Sequence, residues 1–169
     1  IEVALIQKFV LFLGHPTYAL TCVIFSMLLA TGLGSAAQSR LVGLDSHRLT
    51  IALAIVAALT AVLAVSVTPL LTSLLALPLA MKMAVTVALV APVAFVMGLP
   101  FPSALRLLDR WHPPALRWAW SLNAASSVLG SVGALVLAIY IGLTQTVLVG
   151  SALYLVALIV VTRHRHAHA

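Results

Sequence analysis

Long apolar runs broken by short polar stretches dominate this chain. They cover residues 16–37, 49–67, 79–99, 118–142 and 146–161, with a shorter run over 1–14. At about 1.5 Å of rise per helical residue, about 20 apolar residues cross a hydrocarbon core of about 30 Å. The pattern predicts an all-α fold, a polytopic transmembrane helix bundle of about six helices. The bundle fills residues 1–162, and a basic, His-rich tail follows over 163–169. The first helix is expected to be incomplete, because about 14 residues reach only about 21 Å. Either the rest of it precedes Ile1 or the segment only enters the bilayer.

Small residues within two of these runs predict helix pairing. In 118–142, Ser126, Gly130, Ala134 and Ala138 recur every fourth residue, leaving one face with little side-chain bulk. In 16–37, Ser26, Ala30 and Gly34 make a similar seam. Lipid offers no hydrophobic reward for helix pairing, so close backbone approach and interhelical hydrogen bonds must supply it. The fifth run is therefore expected to be the central packing helix, with the seam of the second as its mate. The competing explanation is an alanine-rich composition. Pro69 is expected to close or kink the third run, and 69–78, PLLTSLLALP, is expected to lie at the interface or extend that helix. The segments QSRLVGLDSHR and SALRLLDRWHPPALR read as loops.

Composition agrees with a membrane class: 63% of residues are hydrophobic and 7% charged, against roughly a quarter charged in soluble domains. Nine Lys and Arg against three acids give a net charge of +6. Their placement points to membrane orientation rather than nucleic acid. Arg40, Arg48, Arg106, Arg110, Arg117, Arg163 and Arg165 fall in alternate connections and the tail. The positive-inside rule makes those segments cytoplasmic anchors and puts the C-terminus inside, as in a multi-pass protein of a bacterial inner membrane. The lone Cys22 has no partner for an intrachain disulfide.

Few residues carry chemistry. Glu2, Gln7, Lys8 and Asn123 are polar groups at membrane positions, where an ionised side chain costs about 2.5–3.5 kcal/mol and faces a partner or an aqueous cavity. They are candidates for a substrate path; water or headgroup contact at an interface, and interhelical bonding by Asn123, are the plainer roles. The alternating His164, His166 and His168 read as a solvated tail rather than a metal site. No nucleotide-binding loop, zinc motif or carboxylate pair is present, so no catalytic residue, metal or cofactor is assigned to this chain.

Four segments, taken in order, carry a resemblance. EVALIQKFVLFLGHPTYAL contains Glu2, Gln7, Phe9, Gly14, Pro16 and Tyr18, and GLGS spans Gly32 to Ser35. GLPFP spans Gly98 to Pro102, and WAWSLNAASSVLGS spans Trp118 to Ser131. Together they resemble the membrane domain of bacterial spermidine-synthase-like integral membrane proteins, described as a major-facilitator-like bundle fused to a polyamine-synthase-like domain. The resemblance implies about half of a major-facilitator-like bundle, acting as an anchor or partner-binding module and lining a path for a small, cationic molecule. It implies a protein partner or a missing upstream domain besides the lipid bilayer. The synthase-like part would bring a Rossmann-type sheet and a nucleoside-cofactor loop; neither lies in residues 1–169. The alternatives are a self-sufficient or paired secondary transporter and a structural subunit of a larger, electron-transfer membrane complex.

Overall fold

The computed structural model describes the backbone of residues 1–167 and the side chains of residues 1–163. Among the described residues the chain is all-helical: α1 (Glu2–Leu13), α2 (Pro16–Leu41), α3 (Ser46–Ser73), α4 (Leu79–Met97), α5 (Pro100–Trp111), α6 (Ala115–Ile141) and α7 (Leu143–Ala167). Five stretches are long and apolar enough to cross a membrane: α2, α3, α4 together with α5, α6, and α7 to Arg163. The chain is a polytopic helical bundle. The short α1 lies outside that set, yet its Ala4, Leu5, Phe9 and Phe12 are among the most deeply buried side chains.

The helix ends follow local chemistry. Gly14 ends α1 at φ +76°, a conformation that only glycine adopts without strain. His15 then caps α2, its Nδ1 accepting from the Thr17 N–H at 3.3 Å, with Pro16 in the first turn. Asp45 caps α3 through the His47 N–H at 2.8 Å. The α3 helix runs through Pro69 to Ser73, so most of the 69–78 segment extends that helix.

Two helix pairs make the core. The first is α2 on α4. The α2 face that is buried is Ala19, Cys22, Val23, Ser26, Met27, Ala30, Gly34 and Gln38, a run of three- and four-residue steps. The approach is closest at two glycines. A Cβ on Gly34 would lie 2.0 Å from the Phe95 carbonyl oxygen, and one on Gly98 would lie 2.3 Å from that of Thr31. The backbones touch where a methyl group cannot fit. The second pair is α3 on α7, where Ser151 Oγ donates to the Ala57 carbonyl at 2.7 Å across the helix boundary.

Three expectations need correction. The mate of the Ser26, Ala30, Gly34 seam is α4, not the fifth run. The α6 helix is peripheral rather than central: Ala134 is its only buried residue, Ser126 is exposed, Ala138 is half-buried, and a Cβ on Gly130 would meet nothing within 4 Å. The small-residue periodicity was equally present in both helices, and backbone proximity, which periodicity does not contain, selected one. Finally, SALRLLDRW is helix rather than loop. Pro100 and Pro102 fall in the first turn of α5, where N–H groups have no intrahelical partner, so they start the helix instead of breaking it. The α5 helix buries Pro100 and Ser103 and exposes Arg106, Asp109 and Arg110.

The basic residues share one end of the bundle. Val42, Leu49, Leu99 and Leu107 pack in one cluster with Leu158 and Val161, which brings together the end of α2, the start of α3, α5 and the end of α7. Arg40, Arg48, Arg106, Arg110 and Arg163 lie on these segments and are exposed, and Arg117 is exposed in the first turn of α6. Arg48 pairs with Asp45 at 3.6 Å. The side chains of Arg165, His164, His166 and His168 lie outside the described residues.

Candidate functional site

The exposed side of α6 borders an open groove of about 540 Å³. It is lined by the start of α1, by α6 and by α7, together with Met27 and Met97. Local sequence builds it in two steps. Gly142, at φ +88°, lets the chain reverse directly from α6 into α7. The side chain of Ile1 then sits against Gly150 of α7, where a Cβ would lie 2.5 Å from Ile1 Cγ1. This contact wedges the beginning of α1 onto α7 and leaves α6 standing to one side.

The polar groups on the groove are Glu2, Asn123, Ser126, Ser127, Ser131, Thr146 and Tyr154. Several have internal partners: Ser131 Oγ donates to the Ser127 carbonyl at 2.9 Å, and Thr146 Oγ1 to the Gly142 carbonyl at 2.8 Å. Among the described residues the side chains of Asn123, Ser126 and Ser127 have no hydrogen-bond partner, and the Glu2 carboxylate has none within ion-pair distance, its electrostatic neighbour being the Ile1 ammonium. Asn123 lies about 12 Å and Gly130 about 22 Å along the axis from Ala115, depths within the apolar part of this span. An unpaired carboxylate or amide has no stable place against lipid there. The groove can offer a carboxylate, an amide and hydroxyls, and it contains no Lys or Arg side chain.

The four substrate-path candidates do not converge. Glu2 and Asn123 share the groove. Gln7 is half-buried on α1 and lines neither this groove nor the second cavity. Lys8 points elsewhere: it is 7% exposed and lines a separate cavity of about 350 Å³ towards the other end of α1. Side chains six residues apart on one helix leave it in different directions along the axis and around it, and the surrounding helices divide the space between them. The helix-packing residues divide as well. Ser26, Ala30 and Gly34 are buried against neighbours, whereas Ser126, Gly130 and Ala134 line the open groove.

Two polar sites escaped the sequence reading. Gln38, expected in a loop, is 1% exposed inside α2, and neither its amide nitrogen nor its amide oxygen has a partner. Its signal was register, since it continues the four-residue series of Ser26, Ala30 and Gly34. The acceptors of Lys8 are the other case; they come from α3 and α7 and have no local signature. Among the described residues no cluster of three or more His, Cys, Asp or Glu could hold a metal ion.

Compared with known proteins, the chain matches no family model, no curated protein and no solved structure.

Proposed function

We propose that this chain is an integral membrane module whose α6 groove is closed by a further membrane-embedded element, and that the closed groove forms a path for a small cationic molecule. The unpaired Asn123, Ser126 and Ser127, together with the Glu2 carboxylate, on an open groove at membrane depth carry this reading. A lipid-facing surface leaves such groups unsatisfied, whereas an opposing helix or an aqueous path satisfies them. The small residues of α6 serve the same end, because Ser126, Gly130 and Ala134 present a shallow face that another helix can approach closely. The sign of the cargo follows from Glu2, the one charged side chain on the groove.

The arrangement fits the membrane domain of a spermidine-synthase-like protein. The segments behind that resemblance meet in space: GLGS and GLPFP cross at Gly34 and Gly98, and Phe101 of GLPFP stacks edge-on against Trp120 at 5.3 Å. Packing alone also accounts for those meetings, so they support a bundle role more than a chemistry. With the basic end of the bundle towards the cytoplasm, both α2 and α4 run inward, in keeping with the positive-inside rule.

A paired secondary transporter is the second reading, and the shared position of Glu2 and Asn123 favours it. The two readings separate by experiment. The native mass of the assembly is measured after gentle extraction from its own membrane, for wild type and Gly130→Leu. The module reading expects the wild type to migrate with an additional membrane-embedded segment or subunit, and Gly130→Leu to lose a separate subunit, or to loosen a covalent segment so that it becomes open to proteolysis, while remaining folded. A wild-type mass of 17.7 kDa, unchanged by the variant, overturns that reading. Uptake of a labelled diamine into vesicles, lost in Glu2→Gln with assembly intact, identifies the groove as a transport path; unchanged uptake removes Glu2 from it.

A further inference from the structure

One end of the bundle carries positive charge with no carboxylate to answer it. Lys8 and Lys82 both lie there: Lys82 Nζ sits 5.4 Å from the centre of the Phe12 ring, and Phe12 is a wall of the cavity that Lys8 lines. The chain has three acids, all elsewhere. Glu2 is on the separate groove, Asp45 caps α3 at the opposite end, and Asp109 is on α5.

The immediate surroundings of Lys8 are organised. Its Nζ donates to the Ala64 carbonyl at 3.2 Å, to Thr68 Oγ1 at 3.0 Å and to Thr144 Oγ1 at 2.8 Å. An ammonium group has three hydrogens to donate and no lone pair, so both threonine oxygens act as acceptors and their own hydroxyl hydrogens remain. Elsewhere in the bundle, Thr50, Thr60, Thr86 and Thr162 each donate that hydrogen to a carbonyl of their own helix. Among the described residues Thr68 and Thr144 donate no such bond, and each hydroxyl instead accepts from Lys8.

The site therefore combines a cation with two hydroxyl donors polarised by it. Both threonines line the cavity of about 350 Å³, whose remaining wall is largely apolar, with Leu11, Leu71 and Leu75. We propose that this cavity binds an oxyanion, a carboxylate or a phosphate, carried on an apolar body. The anion accepts from Thr68 and Thr144 and neutralises Lys8, and the body lies against the leucines. Charge-assisted bonds to an oxyanion are the strongest that such hydroxyls can make. Two sources supply this chemistry: an acidic phospholipid of the surrounding bilayer, or a short-chain fatty carboxylate from water.

The test uses the full chain, delipidated in neutral detergent and followed by thermal unfolding and native mass spectrometry. The probes are phosphatidylglycerol, phosphatidylcholine and octanoate. Phosphatidylglycerol or octanoate should raise the melting temperature and bind with defined stoichiometry, while zwitterionic phosphatidylcholine should do neither. A response to phosphatidylglycerol alone identifies a lipid site, and a response to octanoate alone a soluble ligand. Joint replacement Thr68→Val and Thr144→Val should weaken anion binding about tenfold or more, and Thr68→Ser with Thr144→Ser should retain it. Should the valine pair fail to fold, the single Thr144→Val variant and the wild-type comparison of anionic with zwitterionic probes decide the matter. Equal response to phosphatidylcholine, no response to either anion, or undiminished binding in a folded valine variant overturns the proposal.

Discussion

Adding one methyl group at Gly34 is the sharpest perturbation this fold allows. A Cβ there would lie 2.0 Å from the Phe95 carbonyl oxygen and 3.0 Å from its carbon, both backbone atoms that cannot rotate away. Ordinary contact begins near 3.4 Å, so Gly34→Ala must push α2 and α4 apart along the interface that buries Ser26, Ala30 and Gly34 on one side and Val90, Val93 and Ala94 on the other. Overpacking of this kind costs about 1–3 kcal/mol, and loss of packing at neighbouring positions adds to it. Alanine recovers about 1 kcal/mol of helix propensity, leaving a net loss of up to about 2 kcal/mol before the packing lost at neighbouring positions is added. Gly32→Ala, on the exposed side of α2, is the matched control. Its methyl group meets nothing within 4 Å, so only the propensity gain of up to about 1 kcal/mol applies. Unfolding of both variants by titration with a denaturing detergent, followed by circular dichroism, gives the difference. Gly34→Ala should unfold earlier than wild type and Gly32→Ala no earlier. A Gly34→Ala protein as stable as wild type refutes the α2–α4 crossing.

Two further predictions use the same assay. Ser151→Ala removes the hydrogen bond to the Ala57 carbonyl and should cost about 0.6 kcal/mol, the mean of interhelical bonds in membranes; no change at all would argue against the α3–α7 pairing. Gln38→Met replaces an amide with neither atom paired by an apolar chain of similar length. It should leave stability unchanged or raise it by about 1–3 kcal/mol, the penalty of a buried unsatisfied polar group; a marked loss would mean that the amide has a partner, such as a buried water.

The fold was legible in the sequence to the extent that it depends on local patterns. Apolar runs located α2, α3, α4, α6 and α7, because bilayer thickness translates directly into run length. Their ends moved by several residues, mainly where Leu41 and Ser73 continue helices past the apolar run. The α5 helix was missed because Pro100 and Pro102 with Arg106, Asp109 and Arg110 resemble a loop; only the position of the prolines at the helix start distinguishes the two. Which helices pair was not legible. The seams of α2 and α6 have the same spacing, and their different fates depend on Phe95 and Thr31 carbonyls that have no side-chain signature. The candidate site was half visible. Glu2 and Asn123 were identified as polar groups out of place, and the structure puts them on one groove. Lys8 was identified too, but its threonine acceptors lie 60 and 136 residues away in the chain, and no periodicity reaches that far.

The most direct test of the central claim, that the α6 groove is closed in the membrane, is the oxygen accessibility of spin labels on α6 in the native membrane. Labels are placed at Asn123→Cys and at Leu122→Cys, at nearly the same depth, in a Cys22→Ala background. Asn123 lines the groove, whereas Leu122 is 63% exposed on the same helix and is not among the groove-lining residues. The account predicts that the label at position 123 is shielded from lipid-dissolved oxygen while the one at 122 is freely accessible. Equal, high accessibility at both positions would show α6 bathed in lipid on the groove side as well, and would contradict it.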